Sequence, residues 1–597
     1  MKTEPGRRSV RAAILAVSLA LLSVSSLGLS AQAPTAATGV KFARISPGEM
    51  KEWLTYLSSD QLQGRQIFTE GYALAAAYVA DHLRQWGVKP LGEDGTYFQT
   101  VKLKGYHTTR RSSVTVDVNG QTRTFKDGEH VTFPANAGGP QMQSFNGVEF
   151  VGSGLVVPDI KHDDYSGRDV KAKLVVWMGN GPRTLPQGAG RLLNARGQYA
   201  IETRGANASI GYASPPTAAE QALAQAQAAL AQANQAVAQA QQGLLQARRG
   251  GGGRGVGGGG PDGGGAGRGN QPPSTDFTAV ERVDHLLPPQ FTADDDFFTF
   301  LLSAAPTKFP ELKAAADRGD GLPALSLSNV KVILTIDNSY DLVSTRFSKN
   351  VVGLIEGTDA RLRGTYVLFG AHLDHLGYLT APRDGNPDLI FNGADDDGSG
   401  TTAELAIAKA FATGPKPKRS LVFTWHTGEE GGLSGSRYNA DFPVIDLDKV
   451  QCQLNMDMIG RNADNDPRNA NQVYIVGDDR ISTDLHNLVG DVNNAQSKPL
   501  ALDYAWNDPT DLQRIYFRSD HYSYAAKGIP IAFFTTGLHP DYHQVSDTVD
   551  KIQFDKMARI AQLIYETGFS VANTDKVLER DNKGPRAGKG SVGKITR

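Results

Sequence analysis

Apolar runs of strand length alternate with helix-like stretches along the second half of the chain. Four of these runs end just before acidic or imidazole side chains, at 366–371, 420–426, the run that starts at Val450, and 531–535. Short continuous apolar runs are typical of strands buried on both faces. The Ala-rich stretch 398–412 predicts a buried helix, which Asp397 can cap. This alternation predicts an α/β fold with a mixed, largely parallel sheet and helices on both faces.

The first half of the chain has a different pattern. Apolar side chains at helical spacing predict two helices within 46–86, and alternating residues predict strands at 97–103 and 113–118. Farther on, 148–157 and 173–178 are typical of strands. A region of mostly β structure therefore separates the N-terminal helices from the α/β half.

A low-complexity stretch at 215–275 interrupts this β-rich region. Its first part is rich in Ala and Gln and repeats an apolar residue every seven positions, at Leu223, Leu230, Val237 and Leu244. That period predicts a long helix with a coiled-coil-like stripe. The Gly-rich run that follows cannot bury a core. We interpret the stretch as a tolerated insertion, with self-association or contact with a surface polymer as the alternative.

Both ends of the chain predict segments outside the folded core. Residues 1–33 combine a basic start, an uncharged apolar stretch and the small-residue sequence Ala31-Gln32-Ala33, which together are typical of a secretory signal peptide. A retained N-terminal anchor is the alternative. No stable membrane insertion is expected after cleavage, so the predicted location is periplasmic or extracellular, of bacterial type. Residues 575–597 are basic and poor in apolar side chains, which predicts a disordered tail.

Charge and cysteine content exclude two classes of protein. The chain has 61 basic and 63 acidic residues, a balance that argues against a general nucleic-acid binder. Its single cysteine, Cys452, excludes an internal disulfide framework and lies in a predicted buried strand. We interpret Cys452 as a small core residue and not as a nucleophile.

The polar residues after the four apolar runs predict a metal site. They are His372, Asp374, His375, the triplet 395–397, Glu429, Glu430, Asp457, Tyr542 and His543. Strand ends meet at one edge of a parallel sheet, so these groups should lie close together. Carboxylates at such density repel each other unless a cation compensates them, and a mixture of imidazole and carboxylate suits zinc.

Six motifs, in this order, resemble the co-catalytic dizinc aminopeptidases of peptidase family M28: GAHLDHLG, NGADDDGSG, TGEEGGLSGS, NMDMIGR, FRSDHYSYAAKGIP and DYHQVSDT. The stretch FVGSGLVVPDIKHDDYSGRDVKAKLVVWMGNG resembles a protease-associated (PA) domain. The resemblance implies a zinc exopeptidase-like domain split into 34–122 and 335–574. A mostly-β PA-like domain at 123–334 is expected between the two parts.

The resemblance also implies two zinc ions and five ligand residues. His372 and Asp457 would bind one ion, Glu430 and His543 the other, and Asp396 both. From their positions we assign three further residues to catalysis: Glu429 as the general base, Asp374 as acceptor of the His372 imidazole N–H, and Tyr542 as a partner of the oxyanion. For Tyr542, a packing role is the alternative. His375 is an alternative ligand to His372. We interpret His426, Asp520, His521 and His539 as structural or pocket-shaping residues.

These roles predict a secreted aminopeptidase that removes N-terminal residues from peptide substrates. A carboxypeptidase or other amidohydrolase of the same family is the alternative among enzymes. A metal-free binding protein that keeps the fold is the alternative outside enzymes.

Overall fold

The computed structural model describes residues 35–37, 39–186, 189–214, 226, 275–382 and 386–581. The chain forms two compact units. One, here called the catalytic unit, comprises the described residues up to Thr100, then Lys349–Asn507 and the described residues from Tyr516 to Asp581. The other comprises Val101–Ser348 and Asp508–Ile515. These limits differ from the predicted ones because strands at 113–126 and 324–336 pair within the second unit's sheet.

The strands, in chain order, are β1 Lys89–Pro90, β2 Phe98–Thr109, β3 Ser113–Val118, β4 Gln121–Lys126, β5 Val131–Thr132, β6 Gln141–Val151, β7 Val156–Val157, β8 His162–Asp163, β9 Leu174–Trp177, β10 Ala208–Tyr212, β11 Phe277–Ala279, β12 Gln290–Ala293, β13 Ala324–Ile336, β14 Ser339–Ile355, β15 Tyr366–His372, β16 Ser420–His426, β17 Val450–Met456, β18 Gln472–Val476, β19 Ala501–Asp503 and β20 Ile531–Thr535. The α-helices are α1 Pro47–Leu57, α2 Glu70–Gln85, α3 Gly190–Asn194, α4 Arg196–Gln198, α5 Asp295–Leu301, α6 Phe309–Asp317, α7 Gly398–Thr413, α8 Ser434–Asp441, α9 Asp478–Ile481, α10 Thr483–Ala495, α11 His521–Ala525 and α12 Phe554–Asn573.

The catalytic unit contains a mixed sheet with the order β14-β16-β15-β17-β20-β18-β19. Four central strands, in the order β16, β15, β17 and β20, run parallel to one another. The flanking strand β14 pairs antiparallel with β16, and β18 pairs antiparallel with β20. The carboxyl ends of the four parallel strands therefore lie at one edge. The predicted fold class, mixed and largely parallel, is confirmed.

Helices cover both faces of this sheet, as strand alternation requires. Phe369 of β15 and Phe423 of β16 stack on each other on one face, where Phe411 of α7 packs against both. On the opposite face, His426 contacts the hydroxyl of Tyr524 in α11 at 2.9 Å. The strand side chains are almost completely buried on either side, which explains their continuous apolar runs.

The helix α7 begins where the predicted cap lies. Asp397 Oδ1 accepts hydrogen bonds from the backbone N–H of Gly400 at 2.8 Å and of Met458 at 3.2 Å. A Cβ atom on Gly400 would lie 2.5 Å from the carbonyl oxygen of Met456. Glycine at this position therefore lets the helix start approach the end of β17, from which Asp457 projects.

The second unit is rich in β structure, as predicted for the inserted region. Its eight-stranded sheet has the order β4-β3-β13-β6-β9-β10-β12-β5. A core of buried apolar side chains, including Val116, Phe150 and Leu334, lies against the helix residues Phe297 and Phe298. The resemblance of this unit to a PA domain stays a prediction.

Several predicted segments fall outside the described residues, namely 1–33, almost all of 215–275 and 582–597. The disordered-tail prediction is wrong for 575–581, which packs on the catalytic unit. Leu578 is buried, and Arg580 donates a hydrogen bond to the carbonyl oxygen of Val450 at 2.9 Å. Across the described part of the chain, no helix combines the length and apolarity needed to cross a membrane.

Candidate metal centre and catalytic residues

Five predicted metal ligands meet at the carboxyl edge of the catalytic unit's sheet. His372 is the last residue of β15, Asp457 follows β17 directly, and Asp396 lies just before α7. Glu430 follows β16 in the turn before α8, and His543 lies in the segment after β20. The fold thus gathers residues separated by up to 171 positions, as the strand-end pattern predicts.

Asp396 directs its two carboxylate oxygens to two different histidines. Its Oδ1 lies 3.2 Å from His372 Nε2, and its Oδ2 lies 3.0 Å from His543 Nε2. Asp457 Oδ2 is 3.7 Å from His372 Nε2, and Glu430 Oε2 is 3.1 Å from His543 Nε2. Two atoms bound to one tetrahedral zinc at its usual bond lengths lie about 3.3 Å apart. The spacing fits two ions that share Asp396.

The unpaired atoms of the site support a metal centre. Among the described residues, His372 Nε2 and Asp396 Oδ2 are buried and form no hydrogen bond of suitable geometry, despite their short separations from Asp396 Oδ1 and His543 Nε2. His372 Nδ1 lies 3.1 Å from the backbone oxygen of Asp374, so Nδ1 carries the ring proton and Nε2 offers its lone pair. Two overlapping groups of potential ligand atoms result: His372, Asp396 and Asp457, and His375, Asp396 and Glu430.

Asp374 has a different contact from the one predicted. Its carboxylate Oδ1 lies 3.9 Å from His372 Nδ1, beyond hydrogen-bond distance, because the backbone carbonyl of Asp374 takes that position. Instead, Oδ1 accepts a hydrogen bond of 3.1 Å from the backbone N–H of Glu429. Asp374 therefore orients Glu429 directly and His372 through its main chain. Burial raises the pKa of Asp374 to about 6.

The adjacent residues Glu429 and Glu430 have opposite pKa shifts. Burial raises the pKa of Glu429 well above its ordinary value, and the nearby His372, whose Nε2 lies 3.8 Å from Oε2, only partly opposes this. Burial also acts to raise the pKa of Glu430, but hydrogen bonds from His375 and His543 outweigh it and lower that pKa. Two neighbouring carboxyl groups whose pKa values shift in opposite directions are typical of sites in which each group has a different role.

The histidines interpreted as structural have protein partners. His426 Nδ1 lies 3.3 Å from Asp520 Oδ2, and its Nε2 contacts Tyr524. His521 Nε2 lies 2.9 Å from the backbone oxygen of Tyr516, and His539 Nε2 lies 3.1 Å from Asp395 Oδ2. His375, the weighed alternative ligand, contacts Glu430 with Nδ1 at 2.7 Å.

Arg65 is a residue of this site that sequence reasoning missed. Its buried guanidinium donates hydrogen bonds of 2.7–2.9 Å to the backbone oxygens of Leu57, Leu373, Asn392 and Gly393. It thereby ties the loop after β15 to the segment before Asp396. Burial lowers the pKa of Arg65, while Asp397 and Asp396 oppose that shift. Its partners lie far apart in sequence, so no local signal could have identified it.

Replacing Arg65 by Met should destabilise the catalytic unit strongly. The change leaves buried backbone oxygens without donors, at a cost of about 1–3 kcal/mol each, so we expect a loss of about 3 kcal/mol or more. Thermal unfolding followed by circular dichroism measures it. Arg84→Met is the control, because Arg84 is exposed and pairs with Asp81 on the surface. Equal midpoints for the two variants would contradict the role given to Arg65.

The fold and site define a class: an α/β protein with a candidate metal centre, formed by carboxylate and imidazole groups at the strand ends of a largely parallel sheet. Residues 350–568 match the family model "Peptidase family M28". The match covers all six motifs on which the resemblance rests, together with the predicted ligand residues from His372 to His543. The family resemblance is therefore confirmed.

The chain is also similar to curated fungal proteins. It is 28% identical to "Leucine aminopeptidase 2" of Trichophyton equinum over 306 residues, 47% of this chain and 56% of the relative. It is 30% identical to "Probable leucine aminopeptidase 2" of Arthroderma benhamiae over 273 residues, 45% of this chain and 48% of the relative. The chain thus spans about half the length of the curated relatives it matches.

Similar solved structures include an aminopeptidase from Aneurinibacillus sp. strain AM-1, with 16% identity and a TM-score of 0.40 over 90% of this chain and 96% of that one. Another is BSAP, a zinc aminopeptidase from Bacillus subtilis, with 14% identity and a TM-score of 0.39 over 90% of this chain and 99% of that one.

Proposed function

We propose that this chain is an exported, zinc-dependent aminopeptidase that removes N-terminal residues from peptides. The observation that carries the proposal is the placement of Asp396, whose two oxygens each lie within 3.2 Å of a different histidine nitrogen. The M28 family match at 350–568 and the names of the aminopeptidase relatives support the choice of reaction. Export is inferred from residues 1–33, with a periplasmic or extracellular location.

In the proposed site, His372 and Asp457 would hold one zinc ion, Glu430 and His543 would hold the other, and Asp396 would contribute to both. Bound zinc would polarise the scissile carbonyl and lower the pKa of a water molecule in the site. The protein supplies the proton transfer. Glu429 takes a proton from the attacking water with its carboxylate and later delivers it to the leaving amine. Asp374 keeps Glu429 in place through the backbone N–H at 3.1 Å.

Tyr542 is proposed to stabilise the oxyanion of the tetrahedral intermediate. Its ring stacks on His543 with 3.8 Å between ring centroids, and its hydroxyl oxygen accepts a hydrogen bond of 3.1 Å from Arg518 Nη2. Because Arg518 uses a lone pair of the phenol, the hydroxyl proton remains available to the substrate oxygen. Burial raises the pKa of Tyr542, which keeps that proton on the oxygen at neutral pH.

Tyr542→Phe should lower kcat by about 10²–10³-fold, the usual effect of removing one oxyanion donor. We expect bound zinc to stay unchanged, because the phenol is not among the proposed ligands. Steady-state kinetics with metal analysis of the same samples measures both quantities. Tyr474→Phe serves as the control, since Tyr474 stacks on Trp506 away from the ligands. A kcat within about threefold of the unmodified enzyme, less than 1 kcal/mol in the barrier, would remove Tyr542 from the mechanism.

A panel of aminoacyl reporter substrates tests the activity itself. The expected result is hydrolysis of substrates with an unblocked amine, loss of activity on chelation, and recovery with zinc. Acetylated versions of the same substrates are the matched control. Faster cleavage of amino-blocked peptides that carry a C-terminal carboxylate would favour the carboxypeptidase alternative. Zinc binding without hydrolysis of either set would favour the binding protein.

A further inference from the structure

His375 is a completely buried imidazole whose role the proposed ligand set does not explain. Its Nδ1 lies 2.7 Å from Glu430 Oε1, and its backbone N–H donates to the carbonyl oxygen of Arg65 at 3.3 Å. The ring packs tightly on Gly393, where an added Cβ atom would lie 2.5 Å from its Cδ2. Among the described residues, Nε2 has no hydrogen-bond partner. The hydrogen bond with Glu430 is therefore the polar contact that the described residues offer to the imidazole ring.

The two oxygens of Glu430 have separate partners. Oε1 faces His375, whereas Oε2 lies 3.1 Å from His543 Nε2, the proposed ligand of the second ion. A separation of 2.7 Å suits a hydrogen bond between imidazole and carboxylate. It is shorter than the roughly 3.3 Å expected between two ligands of one tetrahedral zinc. Moreover, His375 Nδ1 lies 4.0 Å from Asp396 Oδ2. The distances therefore favour a hydrogen-bond donor over a ligand.

We propose that His375 is a positioning residue that holds Glu430 Oε1 in a hydrogen bond, so that Glu430 binds its metal ion through Oε2 alone. This inference rests on the proposed function, because it assumes an ion between Glu430, His543 and Asp396. A carboxylate with one oxygen occupied leaves a coordination position for water or substrate. Without the His375 donor, Glu430 can rotate, bind through both oxygens and fill that position.

The effect of His375 should therefore fall on one of the two ions. Removing a group that hydrogen-bonds to a metal ligand typically weakens metal binding by about 10–100-fold. Glu430 is not a proposed ligand of the ion that His372 and Asp457 would hold, so His375 does not act on that ion through Glu430. We expect its affinity to change by less than about threefold, under 1 kcal/mol in free energy.

The test is zinc titration of the metal-free full-length chain against a competing chelator. His375→Leu and His375→Asn form a matched pair, because the two side chains have nearly the same shape and only Asn has an N–H near the position of Nδ1. His375→Leu should lose about 10–100-fold in affinity for one ion and keep the other. His375→Asn should recover most of that loss. If His375→Leu does not fold, His375→Gln replaces it, since its amide nitrogen takes the position of Nε2.

Cobalt substitution adds a readout of geometry. In His375→Leu, the visible absorption of bound Co²⁺ should weaken as Glu430 adds its second oxygen, and His375→Asn should resemble the unmodified chain. Equal loss in His375→Asn and in His543→Ala would show that His375 is itself a ligand and would overturn the proposal. Unchanged affinity in both His375 variants, or equal weakening of both ions, would overturn it as well. If the unmodified chain bound no second zinc, the proposed function would fail first, and the titration would show this directly.

Discussion

Replacing Glu429 by Gln should slow turnover at saturating substrate by at least about a hundredfold while both zinc ions stay bound. General-base catalysis typically contributes 10²–10⁴-fold, and Gln cannot accept the proton from water. Glu429 is buried beside His372 but is not among the proposed ligands, so metal binding should survive. A competitive inhibitor should bind with near-normal affinity. The measurements are kcat, inhibitor binding and zinc content after dialysis.

The neighbouring substitution Glu430→Gln is the matched control. A neutral amide is a poor replacement for an anionic ligand, so this variant should lose one zinc ion on dialysis. If Glu429→Gln loses zinc while Glu430→Gln keeps both ions, the two roles are exchanged. Near-full activity of Glu429→Gln would show that the proposed proton transfer is wrong.

Asp396→Asn should remove at least one zinc ion and lower the rate by about three orders of magnitude or more. An amide offers one oxygen, whereas Asp396 directs both of its oxygens to separate histidines, at 3.2 and 3.0 Å. Loss of metal removes several kcal/mol of transition-state stabilisation. Each increase of about 1.36 kcal/mol in the activation free energy lowers the rate tenfold. Zinc analysis and steady-state rates, with and without added zinc, measure the effect.

Asp395→Asn provides the control for the bridging position. Asp395 faces away from the ligands: its Oδ1 accepts a hydrogen bond from Gly460 N at 2.7 Å, and its Oδ2 contacts His539. An Asn oxygen can still accept from Gly460, so this variant should keep both ions. Equal zinc loss in the two variants would indicate that the acidic triplet acts as one electrostatic unit, contrary to the assignment of a single bridging residue.

The proposed catalytic and metal roles depend on how the turn after β16 separates two adjacent glutamates. Glu429 is held at its backbone by Asp374 and has a raised pKa, whereas Glu430 contacts two imidazoles and has a lowered one. A group that resists ionisation suits reversible proton transfer, and one that ionises readily suits metal binding. In the proposed mechanism, the same dipeptide supplies both groups because its two side chains enter different environments.

The apolar pattern by itself determined the sheet and the location of its chemistry. The predicted strands 420–426 and 531–535 agree with β16 and β20 residue for residue, and the helix after Asp397 begins at Gly398 as predicted. Continuous burial on both faces requires apolar side chains at every strand position, so the sequence carries that signal locally. Polar residues that directly follow these parallel strands therefore lie at the carboxyl edge of the sheet.

Only the tertiary structure decided which polar atoms meet there. Arg65 reaches backbone oxygens more than 300 residues away, and His375 faces Glu430 across two strand ends. The Asp374 carboxylate contacts Glu429 N instead of the imidazole two residues before it, because the turn presents its carbonyl to that ring. Hydrogen bonds require fixed distances of about 3 Å between atoms, and loop packing sets those distances. Residue spacing along the chain does not encode them.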